Sequence, residues 1–403
     1  MNQRIVIVGG GAAGFFAAIR CAELNRQNKV IILEQGRSVL QKVKVSGGGR
    51  CNVTHACWDP AELVTNYPRG QKELLGPFHR FFTGDTVAWF EERGVKLKIE
   101  ADNRMFPVTD NSQSIIDCLW KSAKRVGVKV ETGKKMLGFK PTGNDKWRLS
   151  IKGEQDLIAD KLMLATGSAK STWQLLQGLG HTIVRPVPSL FTFNIKDERI
   201  NGLAGIALPK VRISIKDTRL EAEGPLLITH WGLSGPAILK LSAFGARVLH
   251  ESHYQFRIKV DLSGLTGMVA VTEAIEQVNT KKLVLNHNPF NLPERLWKKL
   301  AQHSGILKQK SWNELSKKDI TNLAGNIGSA EFTVNGKSTF KEEFVTAGGV
   351  DLKEVDFRRF GSKQFPNLYF AGEVLNIDAV TGGFNFQAAW TGGWIAGEAM
   401  AAD

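Results

Sequence analysis

Residues 4–34 read RIVIVGGGAAGFFAAIRCAELNRQNKVIILE, and this stretch decides the fold. Two fully apolar runs, Ile5–Val8 and Val30–Leu33, are typical of buried parallel strands, and the alanine-rich segment Gly14–Leu24 between them is predicted to be helical. The glycines before the helix are spaced as G-x-G-x-x-G, and an acidic residue follows the last of them by 20 residues. This pattern predicts a dinucleotide site, with the pyrophosphate at the helix N-terminus and a ribose hydroxyl on the acid. The predicted contacts are Gly9, Gly11, Ala12, Ala13, Gly14, Glu34 and Gln35.

Similar α/β patterns return near both ends of the 403-residue chain. The predicted elements there are strands at Val128–Val130, Leu162–Ala165 and Leu368–Ala371, helices at 78–93, at 115–126 and from Phe386, and an antiparallel meander around Trp147–Ile151. In the middle, polar and apolar residues alternate at 210–215 and 254–260, residues 269–325 are mostly helical by pattern, and 332–345 is predicted to be a return strand.

These patterns predict an α/β fold that is assembled from separated parts of the chain. One doubly wound domain is expected from residues 1–189 and 343–403. A β-barrel-like insert at 190–268 and 326–342, with a small helical domain at 269–325, is expected to interrupt it.

Composition limits the class of protein. Apolar residues make up 42% and charged residues 23% of the chain, which excludes global disorder. No apolar run reaches the roughly 18 residues of a membrane span. The four cysteines form no C-x-x-C pair, which favours a reduced compartment, and we expect a cytoplasmic location. The net charge of +14 bears on partners rather than on fold.

A second glycine-rich segment reads SGGGRCN at Ser46–Asn52. Three consecutive glycines favour neither helix nor strand, but they let a backbone approach a flat ring or a phosphate. Arg50 is expected to hold an anion or the edge of such a ring, and Cys51 to donate a proton or act as a nucleophile. The alternative is a flexible turn with a buried thiol. The predicted cofactor contacts in this region are Lys42, Ser46, Gly47, Gly48, Arg50, Cys51 and Asn52.

Three later segments complete the predicted cofactor site. Leu164–Gly167 and Ala371–Glu373 resemble the second and third contacts of two-dinucleotide-binding flavoproteins, and this resemblance implies FAD. The run TGGFNFQ at 381–387 is expected to open the last helix, whose amides would favour the negative charge of a reduced flavin. There is no second G-x-G-x-x-G motif, so NADH or NADPH is expected only as a transient electron donor. The predicted contacts are Thr166, Gly167, Gly372, Glu373, Asp378, Gly383, Phe384, Asn385, Phe386 and Gln387.

Histidines offer one further candidate and no metal site. His230 lies in the run THWGLSGPA at 229–237 and is a candidate to face the substrate, although a single histidine is more often structural. His250 and His253 flank Glu251, but the spacing is not H-E-x-x-H and no third ligand is evident. We therefore predict no metal.

Positive charge is concentrated at residues 281–318. This segment holds nine lysines or arginines and two acids, a balance of +7, and Trp297 and Trp312 lie among them. Basic residues interleaved with aromatic ones are typical of a surface that binds a phosphate backbone, such as that of ribosomal RNA. The alternative is a solvated helical face.

Together, the N-terminal glycine motif, Ser46–Asn52, Thr229–Ala237 and Gly382–Gln387 resemble the BaiN/RdsA family of NAD(P)/FAD-dependent oxidoreductases, the YhiN-like flavoproteins. The resemblance covers essentially the whole chain. It implies an FAD-binding Rossmann-type domain, a β-barrel insert and a small helical domain. It also implies reduction of a C=C bond, either in a steroid-like substrate or in uridine of ribosomal RNA.

One leading hypothesis and two rivals follow. The leading hypothesis is a flavin-dependent reductase of an activated C=C bond, in which Cys51, or else His230, donates the proton and Arg50 stabilises the enolate. The basic segment favours uracil in ribosomal RNA over a neutral steroid. The rivals are a flavoenzyme that modifies RNA by another chemistry, such as folate-dependent methylation, and a flavin-binding, ribosome-associated factor without turnover. The sequence leaves the oligomeric state open.

Overall fold

The computed structural model describes residues 2–265, 267–338 and 345–402. The chain divides into two compact units. The first unit combines both ends of the chain, Met1–Val187 and Lys341–Asp403, and the second is Pro188–Phe340. The finer division of the inserted part into a β-rich and a helical domain stays a prediction.

The described residues form short strands and helices. The strands are β1 (Arg4–Val8), β2 (Lys29–Leu33), β3 (Thr54–His55), β4 (Leu97–Ile99), β5 (Arg104–Pro107), β6 (Lys129–Glu131), β7 (Met136–Pro141), β8 (Trp147–Ile151), β9 (Leu157–Ala159), β10 (Lys161–Leu164), β11 (Ile183–Ser189), β12 (Thr192–Asn194), β13 (Ala207–Ile215), β14 (Glu221–Ile228), β15 (Gly232–Ser234), β16 (Gln255–Asp261), β17 (Ala330–Asn335), β18 (Lys337–Ser338), β19 (Val345–Val350), β20 (Val355–Asp356), β21 (Gly361–Ser362) and β22 (Leu368–Phe370). The helices are α1 (Ala12–Leu24), α2 (Gln41–Gly49), α3 (Pro60–Leu63), α4 (Gln71–Phe78), α5 (Thr83–Glu91), α6 (Gln113–Arg125), α7 (Lys170–Gly178), α8 (Pro236–Phe244), α9 (Ala246–Glu251), α10 (Gly267–Glu276), α11 (Glu294–His303), α12 (Lys317–Gly328) and α13 (Phe384–Ala401).

The main sheet of the first unit has the order β20-β21-β22-β10-β1-β2-β6. The five strands from β22 to β6 are parallel, and β20 and β21 continue the sheet with antiparallel pairing. Val8 pairs with both Leu33 and Leu164, and Leu164 pairs with Phe370, so the carboxyl ends of four strands lie side by side. The predicted α/β domain built from both chain ends is therefore confirmed, and this edge is where such sheets bind ligands.

Helices α1 and α13 pack closely within the first unit. At Gly393 and Gly397 an added Cβ would lie less than 3.0 Å from the carbonyl oxygens of Ala13 and Ala17, respectively. Ala13 and Ala17 are four residues apart in α1, and Gly393 and Gly397 are four residues apart in α13. Each pair therefore lies on one face of its helix. The two backbones can approach this closely because none of the four side chains is larger than a methyl group.

One helix predicted from the sequence is two helices in the structure. The predicted segment 78–93 is divided between the end of α4 at Phe78 and all of α5. Pro77 lies in the last turn of α4, and Phe82 is extended at φ −135° and ψ −157°. The Phe82 amide donates to the Asp85 carboxylate at 2.9 Å, which starts a new helix after the break.

The second unit contains an antiparallel sheet with the order β17-β16-β13-β14-β15-β12-β18. Burial alternates along β13 and β16, as predicted for half-exposed strands at 210–215 and 254–260. Buried side chains of these strands and of α10, α11 and α12 belong to one hydrophobic core. The predicted return strand at 332–345 corresponds in part to β17 and β18, and its positions 339–344 lie outside the described residues.

Candidate functional site

The glycine motif forms a tight turn between β1 and α1. The Gly9 amide donates to the Leu33 carbonyl at 2.8 Å, and its φ of +115° favours glycine. An added Cβ would lie less than 3.0 Å from Ala165 O at Gly9, and less than 3.0 Å from Gly9 O at Gly14. At Gly11, by contrast, an added Cβ would meet no atom within 4 Å. Two glycines are thus required by the protein's own packing, whereas the third opens onto free space at the helix N-terminus.

The Glu34 carboxylate is held across this turn by backbone amides. Its Oε2 accepts from the Gly10 amide at 2.9 Å, and its Oε1 accepts from the Gly36 amide at 2.7 Å. Each carboxylate oxygen retains acceptor capacity for a ribose hydroxyl. Gln35 is exposed beside it at the end of β2. The predicted acid therefore lies next to the predicted phosphate-binding turn.

Two more predicted segments reach the same edge of the sheet, because they directly follow β10 and β22. Thr166 follows β10, and its buried hydroxyl oxygen has no hydrogen-bond partner among the described residues. Gly167 and Gly372 both have positive φ, +60° and +77°. Glu373 forms an ion pair with Lys42 at the start of α2. A buried hydroxyl without a hydrogen-bond partner costs free energy unless a ligand or a water molecule bonds to it. This edge of the sheet therefore fits a bound polar group.

The glycine-rich loop (Ser46–Asn52) follows the first turns of α2. Gly47, Gly48 and Gly49 have φ values of +57°, +68° and +85°, so the regular helix ends before them. An added Cβ at Gly47 would lie 2.8 Å from Phe106 Cε1, whereas at Gly48 and Gly49 it would meet nothing within 4 Å. The loop therefore packs against the protein on one side and is open on the other.

Cys51 is fully buried within this loop. Its φ is +63°, a left-handed conformation that is uncommon for a residue with a Cβ. Its amide donates to the Ser46 carbonyl at 3.0 Å, and the Ser46 hydroxyl donates to Val43 O at 3.0 Å. Burial raises the pKa of the Cys51 thiol to about 12. The thiol is therefore a neutral donor at physiological pH, and the role of nucleophile as a free thiolate is not supported.

The role predicted for Arg50 requires correction. Its guanidinium Nη1 lies 2.5 Å from Glu100 Oε1 and 3.4 Å from Asp110 Oδ1, and its Cζ lies 4.0 Å from the centroid of the Phe106 ring. Glu100 raises the pKa of Arg50 above its ordinary value. With two carboxylates already neutralising its charge, Arg50 is poorly suited to bind a further anion or an enolate.

The start of α13 is joined to the glycine-rich loop by a hydrogen bond. Gly383 is the N-cap residue of α13, with φ +94°. With its amide oxygen turned toward Gly383, as its neighbours require, Asn52 accepts from the Gly383 amide at 3.0 Å and donates to Thr54 O at 2.9 Å. Phe384 stacks on His55 with ring centroids 4.5 Å apart, and Phe386 stacks on Trp390. The predicted last helix and the loop thus lie together.

Two predicted cofactor contacts of α13 bond to the protein instead. The Gln387 Oε1 accepts from the hydroxyls of Thr54 and Thr86 at 2.6 and 3.0 Å, and its Nε2 donates to Thr391 at 3.1 Å. Asn385 exchanges hydrogen bonds with the backbone of Ala379 at 3.0 and 3.2 Å. Because Gln387 is fully buried and bonded at both ends of its amide, the structure assigns it to anchoring the helix rather than to ligand contact.

Sequence reasoning missed the partners of several site residues. The buried carboxylate of Asp378, predicted to contact the cofactor, forms an ion pair with Arg69 across an isolated bridge. His55 Nδ1 lies 3.1 Å from the Gly382 carbonyl, and burial lowers the pKa of His55. No local pattern marks Arg69, because its partner lies 309 residues away.

His230 belongs to the second unit. It lies in an exposed turn between β14 and β15, closed by the Thr229 amide donating to Gly232 O at 2.8 Å. Trp231 beside it is 61% exposed. His230 therefore has the accessibility that a substrate-facing residue needs, and its catalytic role stays a prediction.

The basic segment 281–318 is exposed in part, and the role predicted for its tryptophans is wrong. Trp297 and Trp312 are 1% and 4% exposed, stack on each other at 6.1 Å, and donate their indole N–H groups to Val284 O and His287 O. Core residues of this kind cannot stack on a nucleobase. The lysines that are exposed and make no ion pair with any described residue are Lys281, Lys282, Lys308, Lys317 and Lys318.

No helix among the described residues is long and apolar enough to cross a membrane. Nor does the described part of the chain gather three or more His, Cys, Asp or Glu side chains where they could hold a metal ion.

The residues present fit a dinucleotide that carries a flat ring system. Open space at Gly11 suits a pyrophosphate at the N-terminus of α1, and Glu34 suits a ribose. The Thr166 hydroxyl lacks a protein partner at the same edge. The open side of Gly48 and Gly49 suits the approach of a ring. These features lie at the carboxyl edge of one sheet or on the chain that leaves it.

Comparisons with known proteins find relatives along nearly the whole chain. The family model described as HI0933-like protein Rossmann domain matches residues 3–399. A ribosomal RNA dihydrouridine synthase of Haemophilus influenzae is 28% identical over 399 residues, which cover 96% of this chain and 95% of that protein. A 3-dehydro-bile acid delta(4,6)-reductase of Clostridium scindens is 28% identical over 418 residues, which cover 99% of each. Among solved structures, a 3-ketosteroid-delta4-(5alpha)-dehydrogenase of Rhodococcus jostii RHA1 matches with a TM-score of 0.54 and 12% identity, covering 100% of this chain and 97% of that one, a likeness of fold alone.

Proposed function

This chain belongs to the HI0933-like family of FAD-dependent oxidoreductases, and we propose that it reduces a carbon–carbon double bond conjugated to a carbonyl group. Dihydrouridine is uridine with its ring double bond reduced, and a delta(4,6)-reductase likewise acts on double bonds, so both named relatives support this reaction class. The single observation that carries the proposal is the glycine-rich loop, whose backbone is open at Gly48 and Gly49 to the approach of a flat ring. NADH or NADPH is the proposed source of electrons.

The chain's own residues would orient the reaction. When bound, FAD supplies the electron pair for reduction of the acceptor. Gly11 would leave room for its pyrophosphate, and Glu34 would bind its ribose. The Thr166 hydroxyl, which has no partner among the described residues, would donate a hydrogen bond to it. The N-terminus of α13 offers backbone amides, which favour negative charge that develops nearby. Since Arg50 is paired with carboxylates, stabilisation of an enolate is assigned to these amides instead.

Cys51 remains the proposed proton donor because it belongs to the glycine-rich loop, although its raised pKa makes the thiol a weaker acid than an exposed cysteine. A Cys51→Ala variant is expected to retain FAD and its reduction by NADH or NADPH. Product formation is expected to fall about 100-fold, the usual contribution of a general acid. Stopped-flow measurement of flavin reduction and flavin reoxidation separates the two steps. Unchanged turnover would make Cys51 a buried structural thiol.

We propose a small enone or steroid-like substrate first, because a neutral acceptor needs no extended cationic surface, and Trp297 and Trp312 of the basic segment are buried. The test is anaerobic reoxidation of the reduced protein by a cyclic enone, by a 3-keto-4,6-diene steroid and by a uridine-containing ribosomal RNA fragment. A gain of two hydrogens in the product is measured by mass spectrometry. Reoxidation by the enone or the steroid, with the RNA inert, is the expected result. Failure of all three acceptors would overturn the proposed reaction.

Uridine in ribosomal RNA is the second candidate, and one specific feature favours it. Lys281 and Lys282, like Lys317 and Lys318, are adjacent exposed lysines that make no ion pair with any described residue. Such a cluster of exposed cations would bind a phosphate backbone. In the RNA arm, Lys281→Gln with Lys282→Gln should raise KM. Lys298→Gln is the matched control, because Lys298 is already paired with Glu294.

A further inference from the structure

We propose that Glu100 and Asp110 are positioning residues that act through Arg50 to hold the glycine-rich loop in the conformation that receives the flavin. The inference rests on the proposed function, because it concerns the same loop. It also replaces the role that the sequence suggested for Arg50, since the guanidinium bonds to the protein and not to a substrate. Neither acid belongs to any motif recognised in the sequence.

The first support is the set of ion pairs beneath the loop. Arg50 Nη1 lies 2.5 Å from Glu100 Oε1 and 3.4 Å from Asp110 Oδ1. Asp110 also pairs with Lys98, and Lys98 foremost, with Arg50, lowers the pKa of Asp110. Glu100 additionally lies 3.3 Å from Arg104. The two acids therefore hold one side chain of the loop between them.

The second support is packing on one aromatic ring. Phe106 in β5 is fully buried, and the centroid of its ring lies 4.0 Å from Arg50 Cζ. The same ring limits Gly47, where an added Cβ would approach Phe106 Cε1 to 2.8 Å. The Ser112 amide also donates to Gly49 O at 2.9 Å. One side of the loop is thus held by β5 and by the chain that follows it.

The third support is the backbone conformation that these contacts maintain. Gly47, Gly48, Gly49 and Cys51 all have positive φ, and Cys51 adopts it despite its Cβ. A non-glycine residue in this region carries strain and persists only where its surroundings hold it. Arg50 directly precedes Cys51, so its ion pairs are placed to hold that residue. The side of Gly48 and Gly49 that these contacts leave open is the side available to a ring.

The test compares substitutions of two acidic residues, Glu100 and Asp102, in the hairpin that β4 and β5 form. Glu100→Gln keeps the shape of the side chain and removes its charge. Asp102→Asn is the matched control, because Asp102 pairs with Arg104 and has no ion pair with Arg50. The purified full-length holoprotein is mixed with an excess of the apo form of a flavoprotein that binds FAD tightly, and release of FAD is followed by fluorescence. Circular dichroism in the flavin absorption band reports the ring environment before release.

Glu100→Gln is expected to speed FAD release about tenfold, the usual effect of losing a hydrogen bond to a charged group, whereas Asp102→Asn should stay within about twofold of wild type. Release from wild type should also accelerate with salt, and this dependence should weaken in Glu100→Gln. Glu100→Asp should restore part of the retention.

A release rate for Glu100→Gln equal to that of Asp102→Asn, with an unchanged flavin dichroism band, would overturn the inference. If Glu100→Gln does not fold, Asp110→Asn takes its place under the same criteria. The proposed function fails separately, since a wild-type protein that binds no FAD, or that reduces no conjugated acceptor, would show it before any variant is made.

Discussion

At the scale of single residues, the three glycines of the G-x-G-x-x-G motif have different roles. The cofactor turn contains glycines that the protein's own backbone requires and a glycine that leaves room for something else. Gly9 and Gly14 would place a Cβ against backbone oxygens, whereas Gly11 would place it in free space. The G-x-G-x-x-G pattern records all three alike, and only the distances separate their roles.

Alanine substitutions at Gly11 and Gly14 should therefore have opposite signatures. Gly11→Ala is expected to leave the unfolding midpoint unchanged and to weaken FAD binding about tenfold, because the new methyl group occupies space beside the pyrophosphate. Gly14→Ala is expected to cost about 2 kcal/mol of stability through overpacking. Urea unfolding of the apoprotein and FAD titration measure the two effects. Loss of stability in Gly11→Ala, with normal FAD affinity, would contradict this assignment.

At the scale of elements, the first and last helices of the chain are fitted to one another. Helix α13 brings Gly393 and Gly397 against Ala13 and Ala17 of α1, and its start is anchored by the Gln387 amide. The N-terminus of α13 also lies beside the glycine-rich loop. Its docking therefore connects the stability of the first unit with the geometry of the site.

Gly393→Ala and Gly397→Ala should destabilise the protein, although alanine is the better helix former. An added methyl group would force two backbones apart, at a cost of about 1–3 kcal/mol, which exceeds the gain in helix propensity of about 1 kcal/mol. The control is Gly325→Ala in α12, where an added Cβ meets nothing within 4 Å. That variant should be more stable by up to about 1 kcal/mol. Chemical denaturation compares the three. Equal effects at all three positions would refute the close-packing argument.

At the scale of the whole molecule, buried thiols connect stability to pH. Burial raises the pKa of Cys21 to about 12, of Cys51 to about 12 and of Cys118 to about 11, from an ordinary value of 9.0. Between pH 9 and these values the unfolded chain loses thiol protons and the folded protein keeps them. By linkage, their contribution to stability is complete below pH 9 and declines as pH rises.

Unfolding free energy should accordingly fall above about pH 9, by up to about 1.4 kcal/mol per pH unit for each thiol. Urea unfolding across this alkaline range measures the slope. The double variant Cys21→Ala with Cys118→Ala removes two of the four buried thiols, so its slope should be visibly shallower, even if its stability at neutral pH is lower. Parallel slopes for the variant and wild type would rule out the thiols as the cause.

Some predictions failed because they depended on burial. The sequence pattern predicts that Trp297 and Trp312 belong to a nucleic-acid surface, but they lie in the core of the second unit. A tryptophan between lysines has the same local pattern whether it points outward or inward. Among the acids near Arg50, likewise, no spacing distinguishes Glu100, which binds it, from Asp102, which does not.

Local sequence patterns are sufficient to predict the dinucleotide-binding fold and the segments that meet at the carboxyl edge of its sheet. Glycine spacing, two apolar runs and one acid lie within about 30 consecutive residues, and parallel strands bring their carboxyl ends together by rule. Which of the predicted site residues already bond to other protein groups depends on the folded chain. Arg50 finds its acids 50 and 60 residues away, and Gln387 finds Thr54 333 residues away. Such partners depend on how distant segments pack, and local periodicity carries no record of that packing.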